Sequence, residues 1–136
     1  MNIAVCVKQV PATDSRIRFN AAKDDIDRTG ISYVVNPYDE FGVEAALQIK
    51  EQVKGSSVTV ITMAGEKGVE VLRTCLALGC DYAIHLKDPA FADGDGYATA
   101  VALTAALARG NYDIILFGKH AIDDDSGTVG IYVAEW

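Results

Sequence analysis

The sequence predicts an α/β fold built on a doubly wound parallel sheet, and three observations carry that reading. Short apolar runs rich in β-branched residues alternate with longer segments of helical periodicity. Asn, Pro and Gly punctuate the helical segments where starts and stops belong. Half of the 136 residues are hydrophobic and 23% are charged, the profile of one globular domain with a buried core.

Ile3 to Val7 is the first run, bounded by Lys8, Gln9 and Pro11, and reads as a strand buried on both faces. From Ser15 to Ser32 the pattern is polar and irregular. Alternation at Arg16 to Phe19 and a turn signal at Arg28-Thr29-Gly30 predict a surface hairpin outside the core. Asn36-Pro37 predicts a helix start, with Asn accepting hydrogen bonds from free backbone N–H groups and Pro at the first helical position. Asp39 and Glu40 suit the positive end of the helix dipole. Phe41, Ala45, Ile49 and Val53 recur at near-helical spacing, and Gly55 ends the segment.

Val58 to Met63 predicts the second buried strand. After Ala64-Gly65, a helix carrying Val69, Leu72, Leu76 and Ala77 runs to its stop at Gly79. Tyr82 to Leu86 is a third strand, Gly96 to Ala108 an alanine-rich helix and Ile114 to Phe117 a fourth strand. A last helix opens at about Ser126 and runs through Thr128 to Trp136. This alternation implies parallel strands with helices on both faces. Ligands of such sheets bind beyond the carboxyl ends of the strands, where strand order reverses. That rule points to Cys6–Val10, Met63–Gly65 and Gly118–Ser126.

The segment from Gly118 to Thr128 links a buried strand to a helix start, where amides lie free and the small residues Ser126, Gly127 and Thr128 let a phosphate approach. Three consecutive acids, Asp123 to Asp125, would repel phosphate if all pointed inward. One of them therefore takes ribose hydroxyls while the others hold the loop or face solvent. The alternative is a solvated acidic loop that only caps the helix. Lys119 either neutralises phosphate or is a surface charge.

His85 and His120 lack partners at metal-ligand spacing, so no metal is expected. No catalytic residue is expected either. No cysteine sits beside a sequence-adjacent base, and neither a phosphate-loop motif nor the dinucleotide Gly-x-Gly-x-x-Gly fingerprint is present.

The charge balance, 19 acidic against 12 basic side chains, argues against a nucleic-acid partner. No stretch reaches the roughly 20 apolar residues of a membrane span, so no membrane insertion is expected. Cys6, Cys75 and Cys80 show no disulfide or zinc spacing. A reducing compartment follows: a cytoplasmic location, with the mitochondrial matrix as the alternative.

Val-Lys-Gln-Val-Pro at Val7 to Pro11, Asn-Pro-Tyr-Asp-Glu at Asn36 to Glu40 and Gly-Lys-His-Ala-Ile-Asp-Asp-Asp-Ser at Gly118 to Ser126 resemble, in that order, the beta subunit of electron transfer flavoproteins. Arg73 to Gly79, followed by Asp81, is also similar to the family's second helix. The resemblance implies a Rossmann-like, adenine-nucleotide-binding fold and a structural AMP. It further implies an alpha subunit holding most of the redox-active FAD, and electron delivery from flavin-containing dehydrogenases towards the respiratory chain.

By position, the resemblance puts Cys6, Asn36, Met63, Ala121 and Asp124 around adenosine, and Gly127, Thr128 and Val129 at the phosphate, with Gly118 and Ser126 in the same loop. His120 stands where the family usually has glutamine. The family continues beyond the position of Trp136, so residues 1–136 are expected to be a single nucleotide-binding domain, the truncated front part of a longer subunit. Two alternatives stay open: an electron-bifurcating relative with FAD in the beta site, and an ATP-binding regulatory domain of the universal-stress type.

Overall fold

A computed structural model describes residues 1–136. Its centre is a four-stranded parallel sheet of β1 (Asn2–Cys6), β4 (Ser57–Met63), β5 (Tyr82–Leu86) and β6 (Ile114–Phe117), in the order β5-β4-β1-β6. The helices are α1 (Pro37–Gln52), α2 (Gly68–Leu78), α3 (Gly96–Leu107) and α4 (Val129–Glu135). The chain moves outward from β1 to β4 to β5, then returns past β1 to lay down β6. Strand order therefore reverses between β1 and β6, which are paired from Ile3↔Ile114 to Cys6↔Phe117.

Alternation along β1 divides the core. Ile3, Val5 and Val7 face one cluster with Val58 and Val60 of β4, Val43 and Ala46 of α1, and Val71, Leu72 and Cys75 of α2. Ala4 and Cys6 face the other cluster, with Ile61, Ala100, Leu103 and Leu107 of α3 and Val133 of α4. Both faces of β1 are covered, which is why its sequence is a continuous apolar run.

The helical faces differ from the sequence expectation. Phe41 is 72% exposed and Ala45 is also exposed, while Asp39, Val43 and Ala46 turn inward. The buried stripe is made of smaller residues because α1 lies close to the sheet: a Cβ on Gly42 would stand 3.5 Å from Val5 Cγ1. In α2, Val69, Leu76 and Ala77 are exposed and Val71, Leu72 and Cys75 are buried. The α2 stop at Gly79 does follow the expected rule, with φ +123° and its amide donating to Leu76 O.

A second, two-stranded sheet lies outside that pattern. β2 (Gln9–Pro11) pairs antiparallel with β3 (Tyr33–Val35), although Gln9 and Pro11 read in sequence as the boundary of a strand. Pro is tolerated there because a two-stranded ribbon has a free edge that requires no donor. Between them the chain makes the expected excursion, closed by an antiparallel bridge between Phe19 and Ile26. No helix is long and apolar enough to cross a membrane.

Candidate functional site

The ends of β1 and β6 are held by one buried carboxylate. Asp39, in the first turn of α1, accepts the Lys8 amide at 2.8 Å on Oδ2 and the Gly118 amide at 2.9 Å on Oδ1. Burial pushes the Asp39 carboxyl above its usual range, opposed by those two amides. Gly118 must be glycine at this approach, since a Cβ there would collide with the Asp39 carboxylate and lie 2.8 Å from the Asp39 backbone nitrogen.

Asn36, 1% exposed, does not cap α1 with its side chain. Its Nδ2 donates to His120 O at 2.9 Å and its Oδ1 accepts the Ile122 amide at 3.2 Å. The side chain therefore acts as a surrogate strand for the β6–α4 loop. A cap would serve only the nearest amides, whereas the fold offers this side chain a loop 84 residues away.

That loop folds on itself. Asp125 donates its amide to Ala121 O at 3.0 Å, Ala121 donates to Ser126 O at 3.1 Å, and Asp125 takes a left-handed φ of 56°. Lys8 Nζ bridges Asp123 Oδ1 at 2.8 Å and Asp124 Oδ2 at 3.0 Å. Burial works against the Lys8 charge, but the two carboxylates outweigh it and raise the ammonium pKa. Asp124 Oδ1 also accepts the Ser126 amide at 3.0 Å. Burial would raise the Asp124 pKa, yet that amide and Lys8 together lower it. His120 Nε2 lies 3.1 Å from Asp125 Oδ1, and its ring packs at a 41° tilt against Tyr38, centroids 4.2 Å apart.

Between this loop, β1 and α3 opens a cavity of about 370 Å³. Eight of the ten residues singled out from sequence line it: Cys6, Asn36, Met63, Gly118, Ala121, Ser126, Gly127 and Val129. Asp124 and Thr128 are not in the lining. Asp124 is engaged with Lys8, and Thr128 is the residue preceding α4, with Oγ1 3.5 Å from Ser126 Oγ. α4 thus begins at Val129, about a turn later than expected from Ser126, because residues 121–126 are taken up by the loop's own turn.

Thr99 and Leu103 of α3, Phe117 at the end of β6 and Ile131 of α4 complete the wall and had no signal in the sequence beyond lying in a predicted helix or strand. Asp39 was missed as a site residue, and Lys8 was covered only by the expected segment Cys6–Val10. Both lie inside motifs that stand out in sequence, but their partners are 31 to 116 residues away. Cys6 is buried and its thiol is pushed up to about 12 by burial, with Asp39 adding to the effect, so it is a wall and not a nucleophile. No group of three or more His, Cys, Asp or Glu side chains is arranged to hold a metal ion.

A crevice at the reversal of strand order, closed by a strand-to-helix loop, defines a doubly wound α/β domain with its site at the switch point. The family can be stated more closely: residues 25–136 match the electron transfer flavoprotein domain, and the chain belongs to that family.

It is 43% identical over 135 residues to the electron transfer flavoprotein subunit beta of Thermoanaerobacterium thermosaccharolyticum, covering 99% of this chain and 51% of that protein. It is 41% identical over 140 residues to protein FixA of Sinorhizobium fredii, covering 99% and 48%. Against the caffeyl-CoA reductase-Etf complex subunit CarD of Acetobacterium woodii the identity is 39% over 136 residues, covering 99% and 52%. The chain spans about half the length of these curated relatives.

Proposed function

We propose that this chain binds AMP in the cavity at the switch point and serves as the beta-type part of an electron transfer flavoprotein. An FAD-bearing alpha subunit would carry the electrons, received from flavin-containing dehydrogenases and passed towards the respiratory chain. The observation that carries this reading is the convergence of eight sequence-selected residues on one cavity of nucleoside-like size.

The residues present suit an adenine nucleotide. Met63, Leu103 and Phe117 offer apolar surface to a base, and Cys6 and Ala121 keep the wall thin. Gly127 and Val129 stand where the amides opening α4 lack helical partners and favour a phosphoryl group, and Ser126 lines the same wall. Asp124, bound to Lys8 and to the Ser126 amide, stands at the edge of this wall, outside the cavity lining. AMP bound here would supply no redox chemistry and would act as a wedge stabilising the loop.

A second reading places FAD in the same site. It is favoured by a groove of about 960 Å³ on the far side of Met63, bordered by Pro11, Arg28, Tyr33, Lys67 and Asp123, which gives room beyond a mononucleotide. The family membership sets aside the universal-stress type. Mass spectrometry of the small molecules released on denaturing the purified protein tests the proposal. AMP supports the first reading and FAD the second, while release of neither, with no binding of added AMP, overturns both.

A further inference from the structure

We propose that Lys8 is a positioning residue that sets how long a nucleotide stays in the cavity, by latching the tip of the β6–α4 loop through Asp123 and Asp124. The inference rests on reading the cavity as a nucleotide site.

The loop has two kinds of attachment. Its base is held by the buried side chain of Asn36 on His120 O and the Ile122 amide, which cannot let go without exposing unpaired groups. Its tip is held by Lys8 Nζ, at 2.8 Å from Asp123 and 3.0 Å from Asp124, with side-chain exposures of 42%, 28% and 54%. Ion pairs this exposed are weak and exchange readily with water. The tip can therefore open while the base and the sheet stay in place.

Opening has a direct consequence for a ligand. Asp124 also holds the Ser126 amide at 3.0 Å, and Ser126 and Gly127 form the cavity wall that follows the tip. A loop free of Lys8 loses the ion pairs that tie that wall to the end of β1, while the Ala121–Ser126 bond within the loop remains. Lys8 also donates its backbone amide to Asp39 at 2.8 Å, so the latch is anchored at the fixed end of β1. The ammonium is spent on the two carboxylates and acts on the ligand through the loop.

The test uses the protein purified with any subunit that accompanies it, and follows release of adenosine and of AMP by stopped-flow displacement. Adenosine is the decisive probe because it carries no charge for Lys8 or the aspartates to act on. Lys8→Met and the double variant Asp123→Asn/Asp124→Asn are each expected to speed adenosine release about five-fold, the scale of two exposed ion pairs.

Lys8→Arg should keep most of the slow release. The triple variant should be no faster than either parent, since all three changes remove one interaction. Unchanged adenosine release in both variants would overturn the proposal. So would slower AMP release in the aspartate double variant, which would mean that the freed lysine grips phosphate directly. If the native protein binds neither compound, the nucleotide reading itself fails. The latch is then judged on amide exchange at Ala121, Asp125 and Ser126, about five-fold faster in Lys8→Met if the latch exists and unchanged if it does not.

Discussion

The carboxylate of Asp39 and the amide of Gly118 meet at 2.9 Å, tying the first turn of α1 to the end of β6 across 79 residues of sequence. The other oxygen of the same carboxylate takes the Lys8 amide beyond β1. One side chain thereby fixes the separation of the two strand ends between which the cavity opens.

This arrangement has a pH signature. The Asp39 carboxyl is raised, chiefly by burial, so the folded chain binds more protons than the unfolded chain above the ordinary Asp value of about 3.9. The stability linked to it is complete below that value and is lost as pH rises through the folded pKa. Asp39→Asn removes the titration. The unfolding free energy of wild type minus that of Asp39→Asn should therefore fall as pH rises from about 4, measured by urea denaturation. Asp81, lowered by its hydrogen bonds to Lys50 and to the Val58 amide, slopes the other way in both proteins and cancels in the difference.

Gly118→Ala places a methyl group against the Asp39 carboxylate and against the α1 backbone, where Tyr38 C would lie 2.8 Å away. Backbone cannot swing aside as a flexible side chain can. A loss of about 3 kcal/mol in unfolding free energy is expected by chemical denaturation. Wild-type stability in this variant would show that the strand ends are not fixed as described.

Asn36→Ala leaves His120 O and the Ile122 amide without their partner in a largely buried setting. It should cost about 1–3 kcal/mol and weaken AMP binding about tenfold in calorimetry. Asn36→Asp keeps the acceptor for Ile122 but turns an acceptor towards His120 O, and should rescue neither quantity.

The three free cysteines are buried, and burial pushes Cys6 and Cys75 up to about 12 and raises Cys80. Thiolate is the reactive form, so the native protein should resist iodoacetamide at neutral pH and take up three adducts only when unfolded. Intact-mass measurement before and after denaturation checks this. Rapid labelling of a native thiol would show that the corresponding wall opens.

Much of the fold was legible because its signals are local. The runs Tyr82–Leu86 and Ile114–Phe117 coincide with β5 and β6, and Gly79 ends α2 as its conformational freedom demands. The faces of α1 were not legible. Phe41 is the larger apolar residue, yet Val43 and Ala46 go inside, because the separation of helix and sheet favours small side chains. The ribbon of β2 and β3 was also hidden, since each strand has only three residues and their pairing spans the excursion between them.

Residue order by itself determined the alternation of strands and helices, the parallel sheet and the three segments from which the site is made, because apolar periodicity and turn chemistry act between near neighbours. Tertiary structure alone decided that Asp39 clamps two strand ends, that Asn36 serves a distant loop instead of its own helix, and that Lys8 gathers Asp123 and Asp124. All of these but the Lys8–Asp39 contact join residues 79 to 116 positions apart, and only the return of the chain from β5 to the far side of β1 brings their polar atoms within hydrogen-bonding distance.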